Sequence, residues 1–377
     1  MKIVDVEPII LQVPLDVPVV TSFGSMTSRT TVLVRIEADT GVYGIGEIWN
    51  NFPSWGLYEK LATLKYGMIP LLIGEDPTQI SNIHDKLLRA HTVVGLQWGA
   101  LGPIYHSVSG IDMALWDLLG KYRGEPVAKL LGGPVQPSVE VYASGLGPGP
   151  FEDFVEQHLA MGVNAFKLKV GKDHQLDLAN LQRLRKLVPE TARVMIDANQ
   201  AWDRRTAIRV LQQYRAYGLT WIEEPLRCDD PEGLAIVRHQ TGIPTAAGEN
   251  LYGVRQVRQA LEKHGLDVIQ PDLSKQGGIT ASRSIVEMAA SWEVPYAPHF
   301  LGAAVCLAAS IHFAAALPGN TILELDANPN PLRERLFTRP VKVVDGRIAV
   351  PEEPGLGFEL DREFVQFHQV PLRDISL

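Results

Sequence analysis

Between residues 138 and 326, short apolar strand patterns alternate with amphipathic helical patterns at a steady interval, and this alternation restricts the fold more than any other feature of the chain. Strand patterns fall at 139–143, 165–169, 193–197, 220–223, 245–247, 268–271, 296–298 and 321–324. Helical patterns at 177–187, 205–217, 231–239, 254–264, 281–292 and 303–317 lie between them. Strands joined through helices pair in parallel, and eight such strands close into a (β/α) barrel. A doubly wound open sheet is the competing arrangement. No Gly-x-Gly-x-x-Gly follows the first strand and no Walker sequence is present, so nucleotide binding gains no support.

The flanks have a different texture. Residues 1–125 read as an α+β unit, with strand patterns at 2–13, 31–38 and 41–47 and helical patterns at 56–69, 79–91 and 104–122. The first helix is expected to stop at Pro70. Two stretches, 16–28 and 49–55, read as loops that could cover the barrel. In the tail, 341–344 and 347–350 flank Asp345-Gly346, a hairpin signal. The tail is expected to return to the N-terminal unit, giving a discontinuous cap of 1–125 plus 341–377 and a barrel of 126–340.

Of the 377 residues 46% are hydrophobic and 21% charged, with a formal net charge of −8, which argues against a nucleic-acid or anionic-membrane partner. Cys228 and Cys306 lack metal-ligand spacing and suggest neither a disulfide framework nor a zinc site. The start of the chain alternates like a strand, and the apolar run 301–317 is too short to span a bilayer. A soluble, cytoplasmic protein is expected.

Active sites of such barrels sit at the C-terminal ends of the strands. The second strand carries Lys167 and Lys169, whose spacing places both ammonium groups on one face. On a sheet edge such a pair is ordinary, but inside a barrel each should lower the pKa of the other toward that of a usable base. Asp197, Glu223 and Glu249 end the next three strands at equal intervals of 26 residues. Three carboxylates at one height need a cation between them, and all-oxygen ligands suit Mg²⁺. Asp272 and His299 end the sixth and seventh strands, where a carboxylate holding one imidazole nitrogen makes the other a usable acid or base. Two acid/base groups facing each other across a metal site suit removal of a proton α to a carboxylate, with delivery of a proton elsewhere.

These residues resemble the enolase superfamily, in its mandelate racemase and muconate lactonizing enzyme family. The resemblance rests on Lys167-x-Lys169, Asp197-Ala-Asn199, Glu223-Glu224-Pro225, Gly248-Glu249-Asn250, Asp272-x-x-Lys275 with Gly277-Gly278, and His299. Residues 110–121 and 130–133 resemble the family's junction between cap and barrel. The resemblance implies a (β/α)7β barrel under an α+β cap, and one Mg²⁺ held by Asp197, Glu223 and Glu249. It implies Lys169 as base with Lys167 modulating it, and His299–Asp272 as acid/base on the opposite side. Asn199, Lys275 and Glu324 would bind the substrate.

The implied partner is a small-molecule carboxylate, with no nucleic acid and no membrane, and the chain is expected to form a homo-oligomer. Residues 324–331 and 354–357 also resemble members acting on acid sugars, so the expected reaction is dehydration to a 2-keto-3-deoxy acid. Racemisation or epimerisation of a 2-hydroxy acid, and cycloisomerisation of a sugar lactone, could use the same site. A Schiff-base lysine aldolase and a non-catalytic metal-binding barrel are the readings from other classes. The two loops offer apolar Val19, Val20, Phe23, Phe52 and Trp55 and polar Thr21, Ser22, Asn50 and Asn51, with Arg29 as the nearest cation for a distal carboxylate.

Overall fold

Three antiparallel strands begin the chain, β1 (Ile3–Val20), β2 (Ser25–Ala38) and β3 (Tyr43–Ile48), in that order across one sheet. The computed structural model describes residues 1–20, 24–53, 55–132, 136–319, 321–326 and 328–371. Val32, Val34 and Ile36 of β2 point to one face and bury themselves against Leu87, Ile104, Ile111 and Leu118 from the helices Ile80–Trp98 and Leu101–Arg123. A Cβ on Gly46 would overlap the Gly110 carbonyl and meet the Ala114 amide at 2.7 Å. Only glycine lets β3 lie that close to the helix, and the contact fixes the strand end that carries Glu47 and Trp49.

Two expectations for the cap need correction. Within the stretch 16–28, residues 16–20 and 25–28 are not loop but the far end of the β1–β2 ribbon, where Val19 pairs with Met26 and Val20 with Ser25. Pro14 and Pro18 interrupt the alternation, and the register shifts between Pro14 and Val19, which hides the strand from a period-2 search. Nor does the first helix end at Pro70. It runs as Gly56–Ala62, a π-helical stretch Thr63–Met68 and a last turn Ile69–Leu72. The Ile69 amide reaches back to the Leu64 carbonyl, so Pro70 opens a new turn in which its missing N–H is not needed.

The second sheet is the barrel: β4 (Ser138–Leu146), β5 (Ala165–Lys169), β6 (Arg193–Asp197), β7 (Ile222–Glu223), β8 (Thr245–Ala247), β9 (Val268–Ile269) and β10 (Ile322–Asp326), each parallel to its neighbour. The seventh position, expected as a strand at 296–298, holds an extended segment whose single bridge joins Tyr296 to Ile269. Pro295 and Pro298 deprive it of two amide hydrogens. Ala297 and His299 still donate to the Ile269 and Pro271 carbonyls at 3.0 and 3.1 Å, and the Pro298 carbonyl accepts from Glu324 at 3.3 Å. β10 then pairs with β4 and closes the ring.

Alternation sorts the side chains. On β5, Phe166 and Leu168 join the layer between barrel and helices, while Ala165 points inward to a plug with Tyr142, Met195, Trp221, Ala246, Ala297 and Ile322. Lys167 and Lys169 share the inward face with Ala165, one and two steps above the plug. The surrounding helices start where an aspartate can cap them: Asp173, Asp203 and Asp230 each accept from an amide in the first turn. A further helix, Glu152–Ala160, lies between β4 and β5 and is absent from the sequence-predicted set.

The tail differs from expectation. The hairpin β11 (Val343–Val344) and β12 (Arg347–Ala349) pairs antiparallel with β4, at Ser138 to Glu140, and not with the cap. β4 begins before its pairing with β5 at Ala143, and the hairpin covers the edge so exposed. Further along, the tail does reach the cap: the Leu356 amide donates to Asp117 at 2.8 Å, the helix Arg362–His368 packs near β1, and Gln369 bridges to Leu11. Among the described residues no helix is long and apolar enough to cross a membrane.

Candidate active site

A cavity of about 400 Å³ lies over the C-terminal ends of the barrel strands. The barrel contributes Lys169, Asn199, Glu249, Lys275, His299 and Glu324 to its wall. Lys167, Asp197 and Asp272 each contact one of these lining residues, and Glu223 lies one layer deeper, bonded to Lys167.

Lys167 is fully buried between carboxylates, with Nζ 2.6 Å from Glu223, 2.7 Å from Glu324 and 3.9 Å from Asp197. Lys169, two residues on, is 30% exposed to the cavity and pairs with Asp197, also donating to Asn199 Oδ1 at 3.1 Å. Across the mouth, Lys275 donates to Glu249 at 2.9 Å and to Asn250 at 2.8 Å. Asp197 and Glu223 therefore share one ammonium group, while Glu249 is drawn toward Lys275 and His299. Among the described residues, the candidate ligand atoms of Glu223, His299 and Glu324 all lie within 4.8 Å of one another. This trio overlaps the expected Asp197, Glu223 and Glu249 only at Glu223.

The expected lowering of the lysine pKa values is not found. Burial and Lys167 push the Lys169 ammonium down, but Asp197, helped by Glu223 and Glu324, more than offsets them and the group ends raised. Lys167 is raised well above the ordinary lysine value for the same reason, Glu223 and Glu324 outweighing its burial. Two cations in one barrel repel, yet here each has a carboxylate nearer than the other. Burial drives Glu223 up to about 7 despite Lys167. Glu324 is depressed to about 2, because Lys167 and His299 outweigh its burial.

The Asp272–His299 pair forms as expected, with Nδ1 2.6 Å from Asp272 Oδ2. Asp272 is held in turn by the Ser274 amide and hydroxyl, at 2.7 and 2.6 Å. His299 Nε2 faces Glu249 at 3.1 Å and Glu324 at 3.9 Å. Burial opposes its charge, but Glu249, Glu324 and Asp272 raise it to about 9, so at neutral pH it is an imidazolium with a proton to give.

Other residues of the sequence motifs, and some outside them, support the site. Gln270 donates to Glu223 at 2.6 Å, and Asn250 clamps both oxygens of Glu224 at 3.0 and 2.9 Å. Gly248 lets β8 pass the Gln270 backbone, which a Cβ would meet at 2.7 Å. Asn199, Gln200 and Glu224 sit in left-handed backbone conformations with φ of 42°, 65° and 38°, and such strain gathers at functional sites. Asp326 also lines the cavity, two residues beyond Glu324 on the same strand face. That i, i+2 spacing is the signal that could have found it, as it found Lys167 and Lys169.

The two cap segments line the opposite wall, through Val19, Met26, Trp49, Asn51, Phe52 and Pro53. Thr21, Ser22 and Phe23 lie outside the described residues. Asn50 is buried and accepts from Lys60 at 2.9 Å, and Trp55 is 63% exposed and absent from the wall. Arg29, expected as the nearest cation for a distal carboxylate, is buried and bound to Asp326 at 2.8 Å.

The residues fit a divalent cation. Asp197, Glu223, Glu249, Asp272 and Glu324 outnumber Lys167, Lys169, Lys275 and a charged His299 by one in this network. Glu223 Oε1 is moreover buried without a hydrogen-bond partner among the described residues. A hard ion with oxygen ligands would satisfy both.

The barrel, cap and strand-end residues define a family that sequence comparison also finds. The model of the mandelate racemase/muconate lactonizing enzyme N-terminal domain matches residues 5–132, and that of the enolase C-terminal domain-like unit matches 151–364. The chain belongs to this family. It is 32% identical to D-galactarolactone cycloisomerase of Agrobacterium fabrum, over 98% of this chain and all of that protein. Among solved structures it resembles L-talarate dehydratase from Polaromonas sp. JS666 complexed with Mg and L-glucarate, with a TM-score of 0.85, 31% identity and 98% of each chain covered. It also resembles a racemase from Streptomyces coelicolor A3(2) with bound magnesium, with a TM-score of 0.88, 29% identity and coverage of 98% and 100%.

Proposed function

We propose that this protein is a Mg²⁺-dependent enzyme that removes the proton α to the carboxylate of an acid sugar and expels the β-hydroxyl, giving a 2-keto-3-deoxy acid. The observation that carries the reading is the placement of Lys169 and the Asp272-supported imidazole of His299 on the same cavity, at the second and seventh strand positions. The relatives named above include a dehydratase and a cycloisomerase, and two of the solved structures contain magnesium.

In this reading Asp197, Glu223 and Glu249 hold the ion. The trio of Glu223, His299 and Glu324 suits it less, because a hard ion prefers oxygen and His299 already engages Asp272. When bound, Mg²⁺ supplies positive charge against the enediolate. Lys275 and Asn199 orient the substrate carboxylate, Glu324 accepts a hydrogen bond from its α-hydroxyl, and the cap excludes water. Lys169 takes the α-proton. Asp197, which keeps that amine protonated in the structure, is a proposed ligand, so engaging its charge frees Lys169 to act as a base. Lys167 remains the buried counter-charge beneath it. His299 Nε2 then gives its proton to the departing hydroxyl. The cap comprises 1–125 with the end of the tail, and the barrel carries the remainder.

Cycloisomerisation is the second reading, favoured by the relationship to D-galactarolactone cycloisomerase. It uses the same proton removal and a ring oxygen as leaving group. A Schiff-base aldolase is disfavoured, because the Lys169 amine is held as an ammonium ion by Asp197.

The test is α-proton exchange in D₂O over a panel of acid sugars, followed by NMR alongside assay of 2-keto-3-deoxy products. Exchange should disappear with chelator and return with Mg²⁺. Exchange that persists in chelator, or adduct trapping by borohydride, would overturn the proposal.

A further inference from the structure

The cavity has two unlike walls, and their chemistry bears on what the substrate carries at the end away from its reacting carboxylate. Among the described lining residues the cationic side chains other than His299 are Lys169 and Lys275. Both sit at the barrel mouth, and both are already engaged, Lys169 by Asp197 and Lys275 by Glu249 and Asn250. The cap side and the loop after the seventh strand position offer Val19, Met26, Trp49, Phe52, Pro53 and Leu301.

Two further cations lie behind the cap side: Lys60, buried and donating to Asn50 at 2.9 Å, sits 5.1 Å from the centroid of the Trp49 ring and does not line the cavity, and Arg29 is the second. Its guanidinium is wholly buried, 2.8 Å from Asp326, and Arg29 Nε donates to the Pro329 carbonyl at 3.3 Å. Asp326, which stands between Arg29 and the cavity, is itself a lining residue and is further held by the Asn328 amide and side chain at 3.1 and 3.0 Å. What the cavity meets at this point is thus a carboxylate.

We infer that the substrate is a monocarboxylate whose far end is uncharged and partly apolar, a deoxy or otherwise hydroxyl-poor acid rather than an aldaric diacid. This rests on the reaction given under Proposed function and narrows its substrate. A second carboxylate would exchange its hydration for hydrocarbon and the Asp326 charge, with no unengaged cation among the described lining residues to receive it. A methyl or methylene end would instead be buried against Phe52 and Met26. The apolar wall is preformed, since Asn51 ties the 49–53 segment to the Leu301 carbonyl.

The experiment compares acids that differ only at the sixth carbon: 6-deoxyhexonates, hexonates and hexarates, each in several configurations, with Mg²⁺ present. For any configuration that exchanges its α-proton, kcat/KM for the hexarate should fall at least about tenfold below both monoacids, with the 6-deoxy acid best. Phe52→Arg, which adds a cation to the wall, should raise the hexarate relative to the hexonate by about tenfold. Val19→Lys serves the same purpose from the neighbouring strand. A hexarate equal to or better than the hexonate in the unmodified enzyme overturns the inference while leaving the reaction standing. Absence of exchange with every acid overturns the reaction and the inference together.

Discussion

The floor and the ceiling of the cavity follow opposite rules. On the floor, each ionisable group is held by another: Lys167 by Glu223 and Glu324, Lys169 by Asp197, Lys275 by Glu249, His299 by Asp272. Its parts come from seven strand positions of one ring, so no element can shift without breaking several ion pairs. The ceiling is Val19, Met26, Trp49, Phe52 and Pro53, from two short pieces of the cap, mostly apolar and tied to the Leu301 carbonyl by the Asn51 side chain. Directional polar contacts fix chemistry, whereas dispersion and burial tolerate exchange of one apolar side chain for another. The difference separates what the protein does from what it does it to.

The sharpest way to break that division is Lys169→Ala. It should lower kcat/KM by about 10³-fold or more if the amine is the base, with a smaller loss of thermal stability than Lys167→Met, because the side chain is part-exposed and Asp197 keeps Lys167 at 3.9 Å. Lys167→Met should do the reverse of a surface change. Removing one partner of a buried ionic network leaves Glu223 and Glu324 uncompensated, and urea unfolding should show a loss of about 3–5 kcal/mol. If Lys167→Met were neutral, the floor would not be a mutually dependent network at all.

Glu47 offers a smaller test, at the seam between the two regions. Its oxygens accept from the Ala303 and Cys306 amides at 2.6 and 2.8 Å, at the start of the barrel helix Ala304–Ala316. Burial raises its pKa to about 7 in spite of these bonds. A carboxyl raised above its unfolded value binds its proton more tightly in the folded state, so stability should fall as pH rises from about 4.5 to 7. Glu47→Gln should flatten that slope by about 2 kcal/mol across the window, read from unfolding at pH 5 and pH 7.5. Identical slopes in the two proteins would refute it. The smallest effect belongs to the ceiling: Phe52→Leu should change KM by less than about tenfold and leave kcat nearly alone.

The sequence was most informative where side-chain period and topology say the same thing. Lys167, Asp197, Glu223, Glu249, Asp272 and His299 were legible because a barrel strand has one inward face and one functional end, and counting residues suffices to find both. Their charge states were not legible. Those depend on which partner is nearest, and at Lys169 the distances reversed the expected direction. Arg29 shows the same limit, since a residue beside a loop in sequence proved to be locked behind Asp326 in space. The ribbon end within 16–28 was missed because prolines mask its alternation, and the destination of the tail hairpin was missed because an Asp-Gly turn predicts a hairpin without naming its neighbour. Gln270 carries no pattern of its own, and the motif containing Asn250 does not say that its side chain clamps Glu224.

The two amide hydrogens that Glu47 receives also bear on traffic through the site. A carboxylate gripping the start of a helix on the opposite body is a latch with a direction, and it lies at the root of β3 rather than at the rim. Any parting of cap and barrel as a whole would have to tear that latch open and strand a charge among buried neighbours. Entry and exit should therefore be a matter of the outer fringe, with the ribbon end near Val19 and Met26 lifting while the root stays shut. The waiting time for a product to leave would then be set by a few apolar side chains peeling away, and it should shorten as they are made smaller.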